Sequence, residues 1–219
     1  MLVLIRGAGD LASGIALRLH HAHYQIVMTD LPKPTAIRRT VCFSQALLFG
    51  TATVEDVTAR RAENAKEALA IVAKGDIAVL ADPEAKSKNA LLPDALVDAI
   101  LAKRNLGTAI TDAPLVIGVG PGFTAGVDCH VCVETMRGHT LGRVITEGSP
   151  IPNTNIPGLI GGFAGERVLR APADGIFRQT HEIGDTVQAG DVVATVEGEP
   201  MCCTISGILR GLLADGTPV

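Results

Sequence analysis

The first 30 residues restrict the fold more than any other part of the chain. Residues 2–5 form an apolar run that enters Gly7-Ala8-Gly9-Asp10-Leu11-Ala12, a match to G-x-G-x-x-G/A. Leu11, Ile15, Ala16 and Leu19 follow at helical spacing, which predicts a helix over residues 10–21. YQIVMT at residues 24–29 predicts a second strand that ends at Asp30. Strand, helix and strand in so short a span make a βαβ unit, whose crossover is almost always right-handed. Each residue of the turn has a physical task. Gly7 allows the tight turn, Gly9 lets backbone approach a pyrophosphate, and a small residue at Ala12 lets helix and sheet pack closely. The helix N-terminus supplies free N–H groups for an anion. Asp30 stands near the offset expected of an acid that bonds a ribose hydroxyl. Asp10 works against a diphosphate unless Arg6 or a metal offsets its charge, or else it caps the helix.

Further along, residues 62–74 predict a helix that stops at Gly75, and residues 77–81 a third strand. Residues 93–103 predict a helix with Leu96, Ile100 and Leu101 on one face, and residues 115–119 a fourth strand. Residues 38–55 match neither period. Strands alternating with helices imply a mainly parallel sheet, so the class is α/β with a Rossmann-like N-terminal domain over residues 1–127. Residues 128–165 read as a β hairpin around Met136-Arg137-Gly138-His139, then a Pro- and Gly-rich connector.

Composition agrees with this class. Hydrophobic residues make up 47% and aromatics only 3%, so the core is built from Ala, Val, Ile and Leu. The net charge is -4 and no basic run exceeds two residues, which argues against a nucleic-acid-binding surface. No stretch approaches the ~18–20 apolar residues of a membrane helix. Five irregularly spaced cysteines do not form a disulfide framework, and a reducing cytoplasm is the expected location.

Residues 166–219 predict short strands and turns only, and they contain a repeat. Gly175-Ile176-Phe177-Arg178 and Gly207-Ile208-Leu209-Arg210 each precede a turn, at Gly184-Asp185-Thr186-Val187 and Asp215-Gly216-Thr217-Pro218-Val219. This pattern resembles the biotinyl/lipoyl-type barrel-sandwich domain, made of two quasi-symmetric halves. The first copy runs on into residues 190–196, whereas the second stops where that strand begins, so the domain is expected to lack its last strand. Carriers of that type bear a modified lysine at the hairpin between the halves, here residues 197–201. Lys103 is the last lysine in the chain, so this domain is expected to dock or support rather than carry.

Four other motifs carry candidate chemistry. Gly118 to Gly126 follows a predicted strand, so Gly120 and Gly122 are placed where α/β sheets bind ligands; the run is also suited to a plain crossover. Arg38-Arg39 can reach a phosphate or sit solvated on a loop. Cys129 and Cys132 form a CxxC on a predicted strand, where period 2 turns Cys129 away from His130, Cys132 and Glu134. That is a poor zinc or redox arrangement, and buried thiols explain it as well. Cys202 and Cys203, as strand neighbours, are expected to face opposite sides.

The segments IRGAGDLASGIALRL, IRRTVCFSQAL, AILAKRNLGTAITDAPLVIGVGPGFTAG, ETMRGHTLGRVI, PNTNIPGLIGG and RVLRAPADGIF together resemble the selenium-dependent molybdenum hydroxylase accessory proteins. The resemblance extends over nearly the whole chain. It implies a bacterial accessory or maturation protein that partners a molybdenum hydroxylase or its maturation machinery, with self-association open. It also implies a chain that runs on past Val219 into the missing strand. The expected ligand is a dinucleotide or a nucleotide-linked molybdenum cofactor at Gly7, Gly9, Asp10, Ala12, Asp30, Gly120 and Gly122. No metal and no catalytic residue is assigned. Two other functions stay open: an NAD(P)-dependent oxidoreductase acting on a selenium or sulfur precursor, with His130 and His139 as the available proton donors, and a non-enzymatic docking scaffold.

Overall fold

A computed structural model describes all residues, Met1–Val219, as two compact units. One comprises Met1–Pro34 with Val41–Asn153, the other Thr35–Thr40 with Thr154–Val219. The division therefore falls inside the Pro- and Gly-rich connector, and the hairpin that precedes it belongs to the large sheet.

The larger unit holds nine strands: β1 (Leu2–Arg6), β2 (Gln25–Asp30), β3 (Thr51–Val54), β4 (Val57–Ala62), β5 (Ile77–Ala81), β6 (Ala95–Asp98), β7 (Leu115–Val119), β8 (Val131–Val133) and β9 (Val144–Ile145). Its helices are α1 (Asp10–His21), α2 (Ala46–Phe49), α3 (Ala65–Val72) and α4 (Lys88–Leu91). The strand order is β3-β4-β5-β2-β1-β6-β7-β8-β9. All neighbours from β4 to β8 are parallel, and the edge strands β3 and β9 are antiparallel. From β1 the chain moves out to β2, continues to the edge hairpin β3–β4, returns to β5 between β4 and β2, and then crosses to the other side for β6, β7 and β8. The reversal lies between β1 and β6, which pair with Arg6 opposite Asp98.

Alternation along the strands divides the core into two layers. Val3, Ile5, Ile26, Met28, Val79 and Val97 face one way, against Ala12, Ala16 and Leu17 of α1 and against Phe43 and Leu47. Leu4, Val27, Leu80, Leu96 and Val116 face the other, against Ala68 and Val72 of α3 and against Phe123, Cys129 and Cys132. Three alanines at the helix contacts (Ala12, Ala16, Ala68) keep the layers close. The core is built mainly from Ala, Val, Ile and Leu, as composition predicts, but Phe43 is its largest fully buried side chain.

Helix α1 has the predicted bounds. Gly9 is its N-cap and makes no side-chain cap bond, while Asp10 stands in the first turn and Arg18, His20 and His21 in the last, as the helix dipole favours. The predicted helix over 93–103 is instead strand β6 followed by an irregular loop. All four residues of β6 are buried between β1 and β7, and Leu101 and Lys103 have φ near +60°, which no α-helix accommodates. A short apolar run inside a sheet has no reliable helical signature, because both of its faces are buried. The helix predicted over 62–74 is shorter, Ala65–Val72, since Ala62 ends strand β4. Asn64 caps it by accepting from Glu67 N at 3.0 Å, while Glu67 reaches back to Glu63 N at 2.9 Å.

The smaller unit contains a three-stranded antiparallel sheet and a two-stranded one. The first has the order β10 (Phe177–Gln179), β12 (Val192–Val196), β13 (Glu199–Cys202), and the second pairs β11 (Thr186–Val187) with β14 (Gly207–Ile208). A turn with Glu197 and Gly198 both at positive φ joins β12 to β13, the backbone of a tight hairpin. The two repeat copies exchange partners. Thr186-Val187 of the first pairs with Gly207-Ile208 of the second. In return Ile176 bridges Pro218, and Gly175 and Val219 exchange N–H···O bonds of 2.9 and 2.8 Å. Phe177, Ala194, Val196 and Leu212 form the core of this unit. The segment Thr35–Thr40 adds to it: Leu212 N donates to Ile37 O at 2.8 Å, and Arg39 donates to Leu212 O at 2.9 Å and to Gln179 Oε1 at 2.9 Å. Arg39, a candidate phosphate ligand by sequence, is thus engaged within this unit.

Candidate functional site at the sheet's C-terminal edge

The candidate site begins where β1 becomes α1. Gly7 has φ +102°, and its N–H donates to Thr29 O at 2.8 Å. A Cβ there would lie 2.9 Å from Ala99 O in the loop after β6. Glycine is therefore required twice, for the dihedral and for the close approach. Gly9 differs: its φ is -71°, and nothing lies within 4 Å of where its Cβ would stand. Its carbonyl accepts the first helical bond, from Ser13 N at 2.8 Å. The open side of the turn is at Gly9, beside the first turn of α1, whose leading backbone N–H groups have no acceptor within the helix. Ala12 is buried at the helix–sheet contact, as its size predicts.

Asp30 closes back onto the turn. Its Oδ2 accepts from Ala8 N at 2.8 Å and its Oδ1 from Leu31 N at 2.7 Å. Burial pushes its carboxyl above the usual aspartate range, outweighing the two N–H bonds that favour the charge. Asp10, the first residue of α1, is partly exposed.

Sequence reasoning missed the segment that covers the turn. A short 3₁₀ turn, Phe43–Gln45, places Ser44 N on Ala8 O at 3.0 Å and Phe43 N on Ser13 Oγ at 2.9 Å. Ser13 Oγ also donates to Ala8 O at 3.3 Å. Ala8 therefore has both backbone groups committed, which fixes the turn's shape. Two fully buried hydroxyls beside it, Thr29 Oγ1 and Ser44 Oγ, have no hydrogen-bond partner. The only sequence signal for this cover is a serine one residue after Ala12, facing an aperiodic stretch.

Arg6 does not serve as the phosphate counter-charge considered from sequence. It is 5% exposed and donates to Pro83 O (3.1 Å), Leu106 O (3.0 Å), Thr108 Oγ1 (2.9 Å) and Asp98 Oδ2 (3.4 Å). Thr108 Oγ1 in turn donates to Asp98 Oδ2 at 2.6 Å. This buried, fully bonded pair ties the ends of β1 and β6 to the loop after β6.

Gly120 and Gly122 lie at the same edge of the sheet but serve close packing. A Cβ at Gly120 would stand 2.9 Å from Thr135 Oγ1 and 3.0 Å from Leu101 Cδ2, and one at Gly122 would stand 2.5 Å from Arg104 Cα. Gly118 is likewise closed by the Phe123 ring at 2.5 Å.

The CxxC departs from its period-2 expectation. Strand β8 begins at Val131, so Cys129 sits in the preceding turn, and both sulfurs enter the core 3.4 Å apart as free thiols. Burial, with the bond to Cys129, pushes the Cys132 thiol up to about 12, which leaves it protonated at neutral pH. His130 Nδ1 accepts from Val116 N at 2.9 Å. Glu134 accepts from Met136 N at 2.7 Å and Ile151 N at 2.8 Å. His130, Cys132 and Glu134 are thus each committed separately. Cys202 is exposed and Cys203 buried, in keeping with opposite sides.

No helix is long and apolar enough to cross a membrane. No family model matches the chain, and no solved structure matches it. Among curated proteins it is 50% identical, over 218 residues, to the "Uncharacterized protein YqeB" of Escherichia coli (strain K12). That match takes in 100% of this chain and 40% of the relative, so the chain spans about two-fifths of the relative's length.

Proposed function

We propose that the chain is an accessory or maturation protein of a selenium-dependent molybdenum hydroxylase system that binds a nucleotide, or a nucleotide-linked form of the molybdenum cofactor, at the Gly7–Gly9 turn. The observation that carries the binding reading is the open face of Gly9. It lies at the N-terminus of α1, on the parallel strand beside which the order of the sheet reverses. Ligands of open α/β sheets bind outside the carboxyl ends of strands at that kind of reversal. The parallel order β5-β2-β1-β6-β7-β8 supports a Rossmann-like reading, since it reproduces the doubly wound order 3-2-1-4-5-6. Asp30, held at Ala8, is within the neighbourhood a ribose would occupy. The sequence segments quoted above supply the link to molybdenum enzymes.

The smaller unit supports a lipoyl-like barrel sandwich through the exchange of partners between its two repeats. Having no lysine, it acts in docking rather than as a carrier. The free thiols fit a reducing cytoplasm. The oxidoreductase alternative has weaker support, because His130 is tied to the backbone of β7 and His139 stands on the exposed β8–β9 hairpin.

Calorimetric titration with NADPH, ATP, CTP and the cytosine-dinucleotide molybdenum cofactor tests the reading. At least one is expected to bind the wild-type protein and to fail with Gly9→Val. Valine fits the extended backbone and open space at that position, so the variant keeps its fold while its side chain fills the approach. Absence of binding by all four, with hydroxylase maturation in cells unaffected by Gly9→Val, would overturn it.

A further inference from the structure

Three loops that follow adjacent parallel strands meet at one edge of the sheet. They are residues 99–106 after β6, residues 120–124 after β7, and residues 135–143 joining β8 to β9. Their contacts are continuous. Leu101 and Thr135 both press on Gly120, Arg104 backbone lies against Gly122, and Glu134 N donates to Arg143 O at 2.9 Å. On the other flank, Ala99 O touches Gly7.

The chain as a whole is acidic, at -4. These loops are the opposite. They contain Lys103, Arg104, Arg137, His139 and Arg143 and not one Asp or Glu. All five side chains are exposed, and none is engaged in an ion pair or a side-chain hydrogen bond. The nearest acid in sequence, Glu134, is buried with its carboxylate bonded to two backbone N–H groups. Gly138 and Gly142, both at positive φ, have nothing within 4 Å of a Cβ position, so the hairpin among these cations is open. Four fixed positive charges left unpaired in an acidic protein repel one another and gain by meeting an anion.

We infer that the β6–β7–β8 loop edge is a binding site for a polyphosphate group, of the diphosphate or triphosphate class. Size selects this class over a protein surface. Neighbouring strands lie about 4.8 Å apart, so three adjacent strand ends span on the order of 10 Å, the reach of a short polyphosphate, whereas a stable protein interface covers about 800 Å² per partner. This deepens the proposal for the Gly9 turn and rests on it: the first of these loops begins at Ala99, which packs on Gly7, so a phosphate chain that runs from the turn along the sheet edge meets these loops. The cations replace the counter-charge that Arg6, committed to Asp98, does not give.

The test is titration of the full chain with inorganic tripolyphosphate, with adenosine and with ATP, at low and high salt. Two double variants remove the charge, Lys103→Asn with Arg104→Gln, and Arg137→Gln with Arg143→Gln. Asparagine tolerates the left-handed backbone at position 103 (φ 64°), and the other three side chains are exposed, so the fold is retained; circular dichroism and the melting temperature check this. Tripolyphosphate is expected to bind the wild-type protein, more weakly at high salt, and each double variant is expected to lose about tenfold or more in affinity. Failure of tripolyphosphate to bind at low salt, or equal affinity in the folded double variants, overturns the inference. The two readings separate cleanly. Tripolyphosphate binding that survives Gly9→Val, with no gain in affinity for ATP, keeps this site and removes the nucleotide turn. ATP binding that is lost in Gly9→Val but unchanged in both double variants keeps the turn and removes this site.

Discussion

Two glycine-rich segments follow parallel strands at the same edge of the sheet, and they do different work. After β1, Gly7 is closed against Ala99 while Gly9 faces open space. At the end of β7 and just after it, Gly118, Gly120 and Gly122 are all closed, by Phe123, by Thr135 with Leu101, and by Arg104. The first segment uses one glycine to shape the turn and leaves the next one vacant. The second uses Gly120 and Gly122 to let neighbouring loops approach, and only Gly126, at its far end, faces open space. Glycine content is thus no measure of ligand binding; the atoms that a missing side chain would have met are the measure.

Substitution by alanine breaks this comparison at its strongest point. Gly122→Ala places a methyl group 2.5 Å from backbone Arg104 at φ +111°, and backbone yields less readily than a side-chain end. Strain and overpacking together are expected to cost about 3–5 kcal/mol in chemical denaturation. Gly7→Ala meets a carbonyl oxygen at 2.9 Å and φ +102°, and is expected to cost about 2–4 kcal/mol. If Gly122→Ala proves milder than Gly7→Ala, the tight contact of the glycine-rich loop with the loop that carries Arg104 is not what fixes their geometry.

Both segments were visible in the sequence as glycine runs after apolar strands, and so were the bounds of α1, β5 and β7. What identified them was local: periodicity, a turn and a stop. Strand β6 was hidden because its four residues are buried on both faces, so no alternation marks it. Helical spacing through Leu96, Ile100 and Leu101 was accidental, and the left-handed backbone at Leu101 and Lys103 is a tertiary outcome that no residue there announces. The cover over the Gly7 turn was hidden for a related reason. Ser44 bonds Ala8 through its backbone, and backbone bonds leave no side-chain signature. The basic edge was invisible because its cations come from loops separated by about 30 residues, gathered only when β6, β7 and β8 pair.

Gly9→Ala sharpens the contrast from the other side. It adds a methyl group into open space at an ordinary φ, so no strain arises. Alanine is a poorer N-cap than glycine, and the expected cost is below about 1 kcal/mol. A loss comparable with that of Gly7→Ala would mean the space at Gly9 is filled by the protein's own atoms.

The smallest effect concerns the carboxylate beside each segment. Asp30 holds the first turn through Ala8. Burial raises its carboxyl despite the N–H bonds from Leu31 and Ala8. Glu134 adjoins the second segment, next to Thr135. Burial raises it too, but N–H bonds from Ile151, Met136 and Thr135 outweigh that, and the net direction is down. Linkage gives the two opposite signs. Stability from Glu134 is present above the ordinary glutamate range and is lost as pH falls through its lowered folded value. For Asp30 the favourable contribution is present below the ordinary aspartate value and is lost as pH rises through its raised folded value. Denaturation midpoints taken from pH 6 to pH 3 should therefore fall less steeply for Glu134→Gln than for the wild type, and more steeply for Asp30→Asn, which lacks the relief that protonation brings. Parallel curves for Glu134→Gln and the wild type would show that the backbone N–H bonds do not hold the charged form, and would detach the second segment from its carboxylate.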